Sequence, residues 1–491
     1  MSSTLVLIRL NHSRRITIPD HGGESENLTP NPDPERGSVQ VEPQPPADDP
    51  YTVDWWGPDD QENPRNWSFK KRLFIMLTID MLTFSVYMGG GIFASAVPGL
   101  MKSWHIGYTP AILGLSIYII AYGIGPLFLS PLQELPVLGR NPVYLFGIVV
   151  YTLLQVPTAL CDTLGAMTVL RFLAGFVGSP ALATGGATTA DIFAPQYVPF
   201  TIAAWAMSAV AGPVVGPIIG GFAAMDESWR WPFWELAWVG GFTSIFMFFL
   251  LPETLADTIL LRRARRLRRR HDSCAIAKEY LWRPIQLLAE PAVIFLNTYV
   301  GFTYAIFYLW FEAFPIVFSE IHGFNLGVSG LPFIGIFVGV FIAFLIYAAY
   351  LQWYLNPNGF ERLYIAVVAG CIIPAALLFF GWTSRKSVHW IVPTIAAGLY
   401  MPGIYWVFQS SLVYLPSSYP MYAASILAGN CFFRSIIAGA FPLFGRQMFK
   451  NLGVGDGCTL LAAIAAAMIP CTVALIYFGP ALRARSKYSV A

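Results

Sequence analysis

Twelve apolar stretches of membrane-spanning length divide this chain into two sets of six, with an arginine-rich segment between the sets. A helix that crosses the hydrocarbon core of a bilayer, about 30 Å thick, needs about 20 predominantly apolar residues. Only 12% of the residues are charged, against about 25% in typical soluble proteins, so a water-soluble fold is excluded. The sequence therefore predicts an all-α membrane protein whose twelve transmembrane helices form two six-helix halves.

The predicted spans define five regions of the chain. Those of the N-terminal half cover 73–97, 112–132, 143–160, 167–192, 200–224 and 233–251. Those of the C-terminal half cover 293–318, 328–350, 363–382, 390–415, 423–444 and 460–477. The regions are a cytoplasmic tail (1–70), the N-terminal half (71–252), a basic loop (253–291), the C-terminal half (292–482) and a second cytoplasmic tail (483–491). The first tail is predicted to be disordered, because it is rich in Pro, Asp, Glu and Ser and poor in apolar residues.

The distribution of lysine and arginine predicts the orientation, since these residues accumulate in the cytoplasmic loops of membrane proteins. With Lys71 on the cytoplasmic side, the cytoplasmic loops and flanks hold three times as many of them as the other side. Both termini are therefore predicted to be cytoplasmic. The seven arginines between Arg262 and Arg270 are then better explained as an anchor on anionic lipid than as a nucleic-acid surface, so membrane lipid is an expected partner and nucleic acid is not.

Motifs for catalysis and for nucleotide hydrolysis are absent from the sequence. It contains no G-x-x-x-x-G-K-[ST] phosphate loop, no G-x-S-x-G and no H-E-x-x-H, and we predict neither an enzyme nor a metal or cofactor site. Two similar six-span halves are typical of secondary transporters, which bind their substrate between the halves. A pre-existing ion gradient is the expected source of energy.

The fifth span carries a run of glycine and proline, Gly212-Pro213-Val214-Val215-Gly216-Pro217-Ile218-Ile219-Gly220-Gly221. Glycines at four-residue spacing clear one helix face for a neighbouring backbone, while the prolines free carbonyl groups and bend the helix. Ordinary packing of small residues is the alternative explanation. The run resembles the antiporter motif of the major facilitator superfamily, in the form found in fungal twelve-span drug:proton antiporters.

Other segments are similar to that group in the same order along the chain. They are Asp54–Trp67, Gly125–Arg140, Arg171–Pro180, Leu251–Thr254, Tyr308–Pro315 and Asn430–Phe444. The second of these resembles the gate motif, which implies gating roles for Glu134, Gly139 and Arg140. Arg140 is followed by Asn141 where the group commonly has another basic residue, so one gate ion pair is expected to be missing.

The resemblance implies a proton-coupled exporter of lipophilic or amphipathic small molecules, either drugs or secondary metabolites. It also implies a plasma-membrane location, with the vacuolar membrane as the alternative, and we expect a monomer. A proton-coupled importer of a small polar nutrient or organic acid is a second hypothesis, and a non-transporting receptor or scaffold is a third. The glycine-proline run favours export, and the aromatic spans contain few of the paired polar residues that a sugar site needs.

Ionisable residues inside the spans mark candidate sites, because each costs at least about 2.5–3.5 kcal/mol at the bilayer centre and usually faces a cavity or a partner. The resemblance assigns Arg171 of span 4 a part in proton coupling. A fixed cation can help a nearby carboxylate release its proton, and Glu312 and Asp80 are the candidate carboxylates. For Asp80, helix pairing or snorkelling is the alternative. Asp191 and Glu235 lie near span ends, where we expect interfacial solvation.

The predicted substrate cavity draws on spans 7 and 11. Tyr304, Tyr308 and Glu312 follow at four-residue spacing and so share one helix face. A carboxylate among aromatic rings suits an amphipathic or cationic ligand, although Glu312 could instead lock a neighbouring helix by a hydrogen bond. Asn430 and Arg434 share a face of span 11 and are either substrate contacts or interhelical hydrogen-bonding residues.

Overall fold

A computed structural model describes residues 55–267, 291–353, 364–418 and 423–485. Within these ranges 12 helices are long and apolar enough to cross a membrane. Six precede and six follow the segment that joins span 6 to span 7, which confirms the predicted all-α architecture of two six-helix halves. Residues 1–54, most of the predicted basic loop and the last six residues lie outside the described ranges.

The spans begin and end close to their predicted positions. Spans 1 to 6 are Phe69–Trp104, Tyr108–Glu134, Arg140–Leu160, Leu164–Ile192, Val198–Asp226 and Trp231–Leu250. Spans 7 to 12 are Val293–Ile321, Val328–Trp353, Tyr364–Thr383, Ile391–Leu415, Ile426–Leu452 and Val454–Ala474. The predicted loop between spans 11 and 12 is in fact helical except at Gly453, whose φ of +87° permits a one-residue turn.

Two spans of the N-terminal half are interrupted near their middle. Span 1 consists of Phe69–Gly91 and Phe93–Trp104. Span 4 consists of Leu164–Gly178 and Pro180–Ile192, and it breaks at Ser179 because Pro180 supplies no backbone N–H. The Ser179 hydroxyl donates to the Phe176 carbonyl at 2.7 Å and so satisfies a carbonyl near the break.

Alternation of the spans gives the bundle two faces. The linker face carries residues 55–68, 135–139, 193–197 and 251–267, which includes the helix Ala256–Leu267. The opposite face carries the connections at 105–107, 161–163, 227–230, 322–327 and 384–390.

The segment Trp55–Trp67 is folded onto the linker face. Asn63 caps a short 3-10 helix, Pro64–Asn66, and the side-chain amide of Asn66 donates to the carbonyls of Pro58 and Asp60. The prediction of a disordered tail is therefore wrong for these residues. The composition of the tail did not indicate that this part binds a specific residue about two hundred positions further along the chain.

That partner is Arg263 of the helix Ala256–Leu267. Its Nη2 lies 2.8 Å from Asp60 Oδ2 and 2.9 Å from Glu62 Oε2, and its guanidinium lies 5.5 Å from the Trp55 ring centroid. Burial opposes ionisation of Asp60, but the backbone N–H groups of Trp56 and Glu62 and the Arg263 cation together hold its pKa below the usual value. At least one arginine of the basic segment therefore binds protein carboxylates.

Candidate transport site between the two halves

The two halves meet along two seams, span 2 with span 11 and span 5 with span 8. Glycines let the backbones approach: Gly123 of span 2 lies against Ser435 of span 11, and Gly330 lies against the Pro217 carbonyl of span 5. Side chains from both halves meet in the space between the seams.

Five tyrosines from both halves form a polar group there, which we call the tyrosine cluster: Tyr87, Tyr118, Tyr122, Tyr304 and Tyr308. The Tyr122 hydroxyl lies 2.8 Å from that of Tyr308 and 3.1 Å from that of Tyr304. The Tyr122 ring packs edge-on to Tyr87 and Tyr118, with centroids 5.9 and 5.7 Å apart. Hydroxyls from spans 2 and 7 thus join the two halves at membrane depth.

Arg434 extends from span 11 to this cluster. Its Nη2 donates to the Tyr87 hydroxyl at 3.0 Å, and its guanidinium lies 5.0 Å from the Tyr304 ring centroid and 4.7 Å from that of Phe408. The side chain is buried, its Nε has no hydrogen-bond partner, and it forms no ion pair with a carboxylate of the described residues. Its Nη2 also donates to Cys431 Sγ at 3.6 Å, so Arg434 is a buried cation held by aromatic rings, one phenol and one thiol.

Arg171 approaches the same cluster from the N-terminal half. Its Nη2 donates to the Gly89 carbonyl of span 1 at 2.5 Å, and its Nε donates to the Gly114 carbonyl of span 2 at 3.3 Å. The guanidinium lies 4.0 Å from the Tyr118 ring centroid. Among the described residues it has no carboxylate partner either, so each half contributes one buried arginine beside the tyrosines.

A small cavity of about 30 Å³ lies between the halves next to Arg434. It is lined by Tyr87, Ala206, Ala209, Val210, Val300, Tyr304, Phe307, Val340, Met401, Ile404, Tyr405, Phe408 and Arg434. Arg434 is the one charged side chain among these lining residues, and the rest are apolar or phenolic. Of the predicted cavity residues, Tyr304 and Arg434 line it, whereas Tyr308, Glu312 and Asn430 do not.

Glu312 lies further toward the opposite face. It accepts a hydrogen bond from the Tyr108 hydroxyl at the start of span 2, and its other oxygen is buried without a partner among the described residues. The Arg446 guanidinium lies 4.3 Å from the Tyr108 ring centroid and pairs with Glu320 at 2.5 Å. The shared face of span 7 therefore serves two groups: the tyrosine hydroxyls join the cluster, and the carboxylate joins span 2 at the opposite face.

Asn430 and Asp80 are two further residues that the sequence predicted as site residues. The Asn430 amide donates to Asn297 Oδ1 of span 7 at 2.7 Å, which matches the interhelical alternative. Asp80 is buried, and its Oδ1 has no hydrogen-bond partner in the described part of the chain. No contact between Arg171 and either Asp80 or Glu312 is among the hydrogen bonds and ion pairs of the described residues.

The segment Gly125–Arg140 ends in an ion pair that no sequence pattern indicated. Arg140 Nε donates to Asp191 Oδ2 at 2.5 Å, while Glu134 is half-buried at the end of span 2. The expectation of interfacial solvation is therefore wrong for Asp191, because a cation from span 3 reaches it. The Oε2 of Glu235 is also buried, so solvation does not describe that oxygen.

Gly139 allows Glu253 to cap the start of span 3. With φ at +80°, Gly139 turns the chain so that the backbone N–H groups of Arg140 and Asn141 point at the Glu253 carboxylate, at 3.0 and 3.4 Å. A side chain at 139 would collide with that carboxylate. Where the group commonly has a second basic residue, Asn141 donates instead to the Leu251 carbonyl at 2.5 Å.

The first glycines of the run Gly212–Gly221 lie against span 1. A Cβ at Gly212 would be 2.6 Å from the Phe84 carbonyl oxygen and 2.8 Å from Met88 N, and one at Gly216 would be 2.6 Å from Ile92 N. These neighbours are backbone atoms, which have little freedom to move aside. Spans 1 and 5 therefore touch backbone to backbone.

The prolines extend this contact, and the last two glycines continue it toward the opposite face. Pro217 has no N–H, so the Pro213 carbonyl is free of its usual helical partner, and it lies against Gly91 of span 1. Gly220 lies against the side chain of Ile92, and a Cβ at Gly221 would be 3.1 Å from the Leu326 carbonyl of the C-terminal half.

We expect the substitution Gly212→Ala to destabilise the protein by about 1–3 kcal/mol, because the added methyl would force the backbones of spans 1 and 5 apart. The measurement is the thermal unfolding midpoint of the purified protein. The matched control is Gly241→Ala, whose Cβ would lie 3.9 Å from Thr152 Cγ2. It should leave the midpoint unchanged or raise it slightly, since alanine favours helix more than glycine does. Equal midpoints for both variants would refute the close packing.

Several residues of this interface were not among the predicted site residues: Tyr87, Tyr108, Tyr118, Tyr122 and Arg446. One signal was available, because Tyr118 and Tyr122 repeat in span 2 the four-residue spacing of Tyr304 and Tyr308. The contacts of Tyr87 and Arg446 depend on how distant spans meet, and no local pattern announces them.

Twelve spans in two halves, with an aromatic site and buried cations where the halves meet, define a membrane-embedded transporter of small molecules rather than an enzyme. The chain belongs to the Major Facilitator Superfamily, whose family profile matches residues 79–442. It is therefore a multi-pass membrane protein.

Three relatives are similar to the chain over most of its length. "Transporter mfs1" of Schizosaccharomyces pombe is 41% identical over 468 residues, covering 89% of this chain and 88% of the relative. "Multidrug transporter FLR2" of Candida glabrata is 38% identical, with coverage of 90% and 80%. "Cycloheximide resistance protein" of Candida maltosa is 37% identical, with coverage of 93% and 88%.

Proposed function

We propose that this protein is a proton-coupled exporter of lipophilic or amphipathic small molecules, either drugs or secondary metabolites. The observation that carries the proposal is the cavity between the halves, whose lining is almost wholly apolar and aromatic. Such a lining suits lipophilic molecules better than sugars, which need several hydrogen-bonding side chains. The names of two relatives, a multidrug transporter and a cycloheximide resistance protein, point to the same substrate class.

The proposed coupling uses groups on both sides of the tyrosine cluster. Arg171 supplies a fixed positive charge at membrane depth, and Glu312 takes up and releases the proton, with Asp80 as a second candidate carboxylate. Glu312 has one oxygen on Tyr108 and one without a partner among the described residues, so it has room to gain a proton. Opening of the Tyr108 contact would expose Glu312 on the opposite face, as an exchange cycle requires.

The proposed orientation places the linker face in the cytoplasm, on the basis of the Lys and Arg distribution. The Arg140–Asp191 pair and the capped start of span 3 then belong to a cytoplasmic gate, and the Tyr108–Glu312 contact belongs to an outer gate. We propose a monomer in the plasma membrane, in contact with lipid and with no nucleic-acid partner.

The test uses inside-out membrane vesicles from cells that do or do not produce the protein. With the vesicle interior made acidic, an exporter should accumulate cycloheximide or a fluorescent lipophilic dye against its gradient, and an uncoupler should abolish that accumulation. Loss of trapped solute driven by the same gradient would indicate an importer. Identical behaviour of the two vesicle preparations across a panel of drugs and metabolites would reject transport and favour a receptor or scaffold.

A further inference from the structure

We propose that the central cavity selects neutral and anionic molecules that carry a hydrogen-bond acceptor and rejects cations, and that Arg434 sets this preference. The proposal rests on the proposed function, since it names the class of molecule that the exporter binds. It differs from the expectation, drawn from Glu312 and its aromatic neighbours, that the site suits amphipathic or cationic ligands, because it excludes the cations.

The charge around the cavity is positive. Arg434 is the one charged residue of its described lining, and it is buried. A second buried cation, Arg171, lies behind Tyr118 on the far side of the tyrosine cluster. Glu312, which would have favoured cations, is outside the lining and bonded to Tyr108. A cationic ligand would therefore meet positive charge beside a buried side chain, where charges interact more strongly than in bulk water.

Arg434 has hydrogen-bond donors to offer to a ligand. A guanidinium has five N–H donors and no acceptor. One Nη group is engaged by the Tyr87 hydroxyl and Cys431 Sγ, whereas Nε is buried without a partner among the described residues. A buried donor without a partner is costly, so a carbonyl, phenolate, carboxylate or sulfonyl oxygen on the ligand would be stabilised there.

The aromatic rings that would otherwise attract a cation are already in contact with Arg434. Cations bind over the faces of aromatic rings, within about 6 Å of the ring centroid. The rings of Tyr304 and Phe408, which line the cavity, already have the Arg434 guanidinium at 5.0 and 4.7 Å. Arg434 thus competes with any cationic ligand for these two rings.

The size of the cavity adds a requirement for movement. A volume of about 30 Å³ is enough for little more than a water molecule. Binding of a drug-sized molecule therefore requires the halves or the lining side chains to move apart. Met401 is an unbranched, flexible side chain in that lining and can adapt to different shapes. The cavity then selects its ligands only weakly by shape and mainly by charge.

The experiment measures binding of three pyrene probes to the purified full chain in nanodiscs made of neutral lipid. The probes share the ring system and carry a hydroxymethyl group, a butyrate or a trimethylammonium group. We expect the neutral and anionic probes to bind at least about tenfold more tightly than the cation. Equal or tighter binding of the cationic probe, or no measurable binding of the anionic one, would overturn the proposal.

Two substitutions assign the effect to one side chain. Arg434→Gln should weaken binding of the anionic probe by about tenfold or more and strengthen that of the cation, while Arg434→Lys should keep the order of the unmodified protein. The control Arg230→Gln removes a cation that pairs with Asp162 on the opposite face, and it should change neither value. An unchanged order in Arg434→Gln would overturn the role of this residue. The three-probe comparison on the unmodified protein decides the proposal even if that variant does not fold.

The same vesicles that test transport separate this inference from the proposed function. Charge-ordered binding by a protein that moves no probe in a pH gradient would contradict the exporter and leave the charge selection intact. Export of the cationic probe as fast as the neutral one would contradict the charge selection and support the exporter.

Discussion

Vesicles that contain the Arg171→Ala variant are expected to show no pH-gradient-driven substrate accumulation, as if the protein were missing. The Arg171 guanidinium is fully buried and held by two backbone carbonyls and the Tyr118 ring, so its charge is fixed at membrane depth. If that charge drives proton release from a carboxylate, an alanine leaves nothing to drive it. Initial rates of accumulation, normalised to the amount of protein in the membrane, measure the loss.

Two comparisons separate lost coupling from lost folding. Binding of a neutral lipophilic probe depends on the cavity beside Arg434 and should survive Arg171→Ala. Arg171→Lys keeps the positive charge but not the planar fork that spans two carbonyls, so we expect partial activity. Accumulation by Arg171→Ala at the rate of the unmodified protein would reject the coupling role.

The substitution Glu312→Gln is expected to leave probe binding intact and to abolish dependence on the pH gradient. Glutamine can still accept the hydrogen bond from Tyr108, so the contact between the halves is retained, but the side chain no longer exchanges a proton. Substrate should then equilibrate across the membrane without accumulating. The measurement is exchange of labelled substrate with and without an imposed gradient.

Two further variants test how Glu312 is controlled. Tyr108→Phe removes the hydrogen bond and keeps the carboxyl group, so we expect proton coupling to persist. The contact between spans 2 and 7 should lose about 1.5–3 kcal/mol, as expected for a hydrogen bond to a carboxylate. Glu227→Gln changes an exposed carboxylate on the opposite face and should have no effect. Persistent accumulation against the gradient in Glu312→Gln would transfer the proton-carrying role to another residue, with Asp80 the next to test.

The fold was accessible from the sequence because the bilayer imposes one simple rule on length and polarity. Apolar runs of about 20 residues locate the spans without knowledge of their neighbours. The rule fails where a helix extends past the hydrocarbon, as between spans 11 and 12. There, the predicted span ended at residue 444, but the helix continues to Leu452 and the chain turns at Gly453.

The site was only partly accessible, because its geometry depends on pairs that are far apart in the chain. Arg434 and Tyr304 could be singled out as polar residues in apolar spans, and both line the cavity. Their contacts with Tyr87 and Tyr122 join residues separated by hundreds of positions, and periodicity says nothing of such pairs. A shared helix face predicted that Glu312 lies in the cavity. It lies outside the lining because it binds Tyr108 of span 2, which is also distant in the chain.

Predictions for polar segments also fail where the partner lies far away in the chain. Asp191 resembled a solvated residue at a span end, and Trp55–Trp67 resembled part of a disordered tail. Each contains a carboxylate that pairs with a distant arginine, Arg140 in the first case and Arg263 in the second. Local composition shows where burial of a charge would cost free energy. It does not show that a distant cation offsets this cost.

Proteoliposomes without an imposed pH gradient test whether substrate and protons move in opposite directions through this protein. A lipophilic substrate is loaded inside together with a trapped pH-sensitive dye, and the external substrate is then diluted away. Exchange predicts that the interior acidifies as substrate leaves, and that Arg171→Ala abolishes the signal. An interior that becomes more alkaline as substrate leaves would mean that the two travel together, and an unchanged pH during protein-dependent efflux would mean that protons take no part.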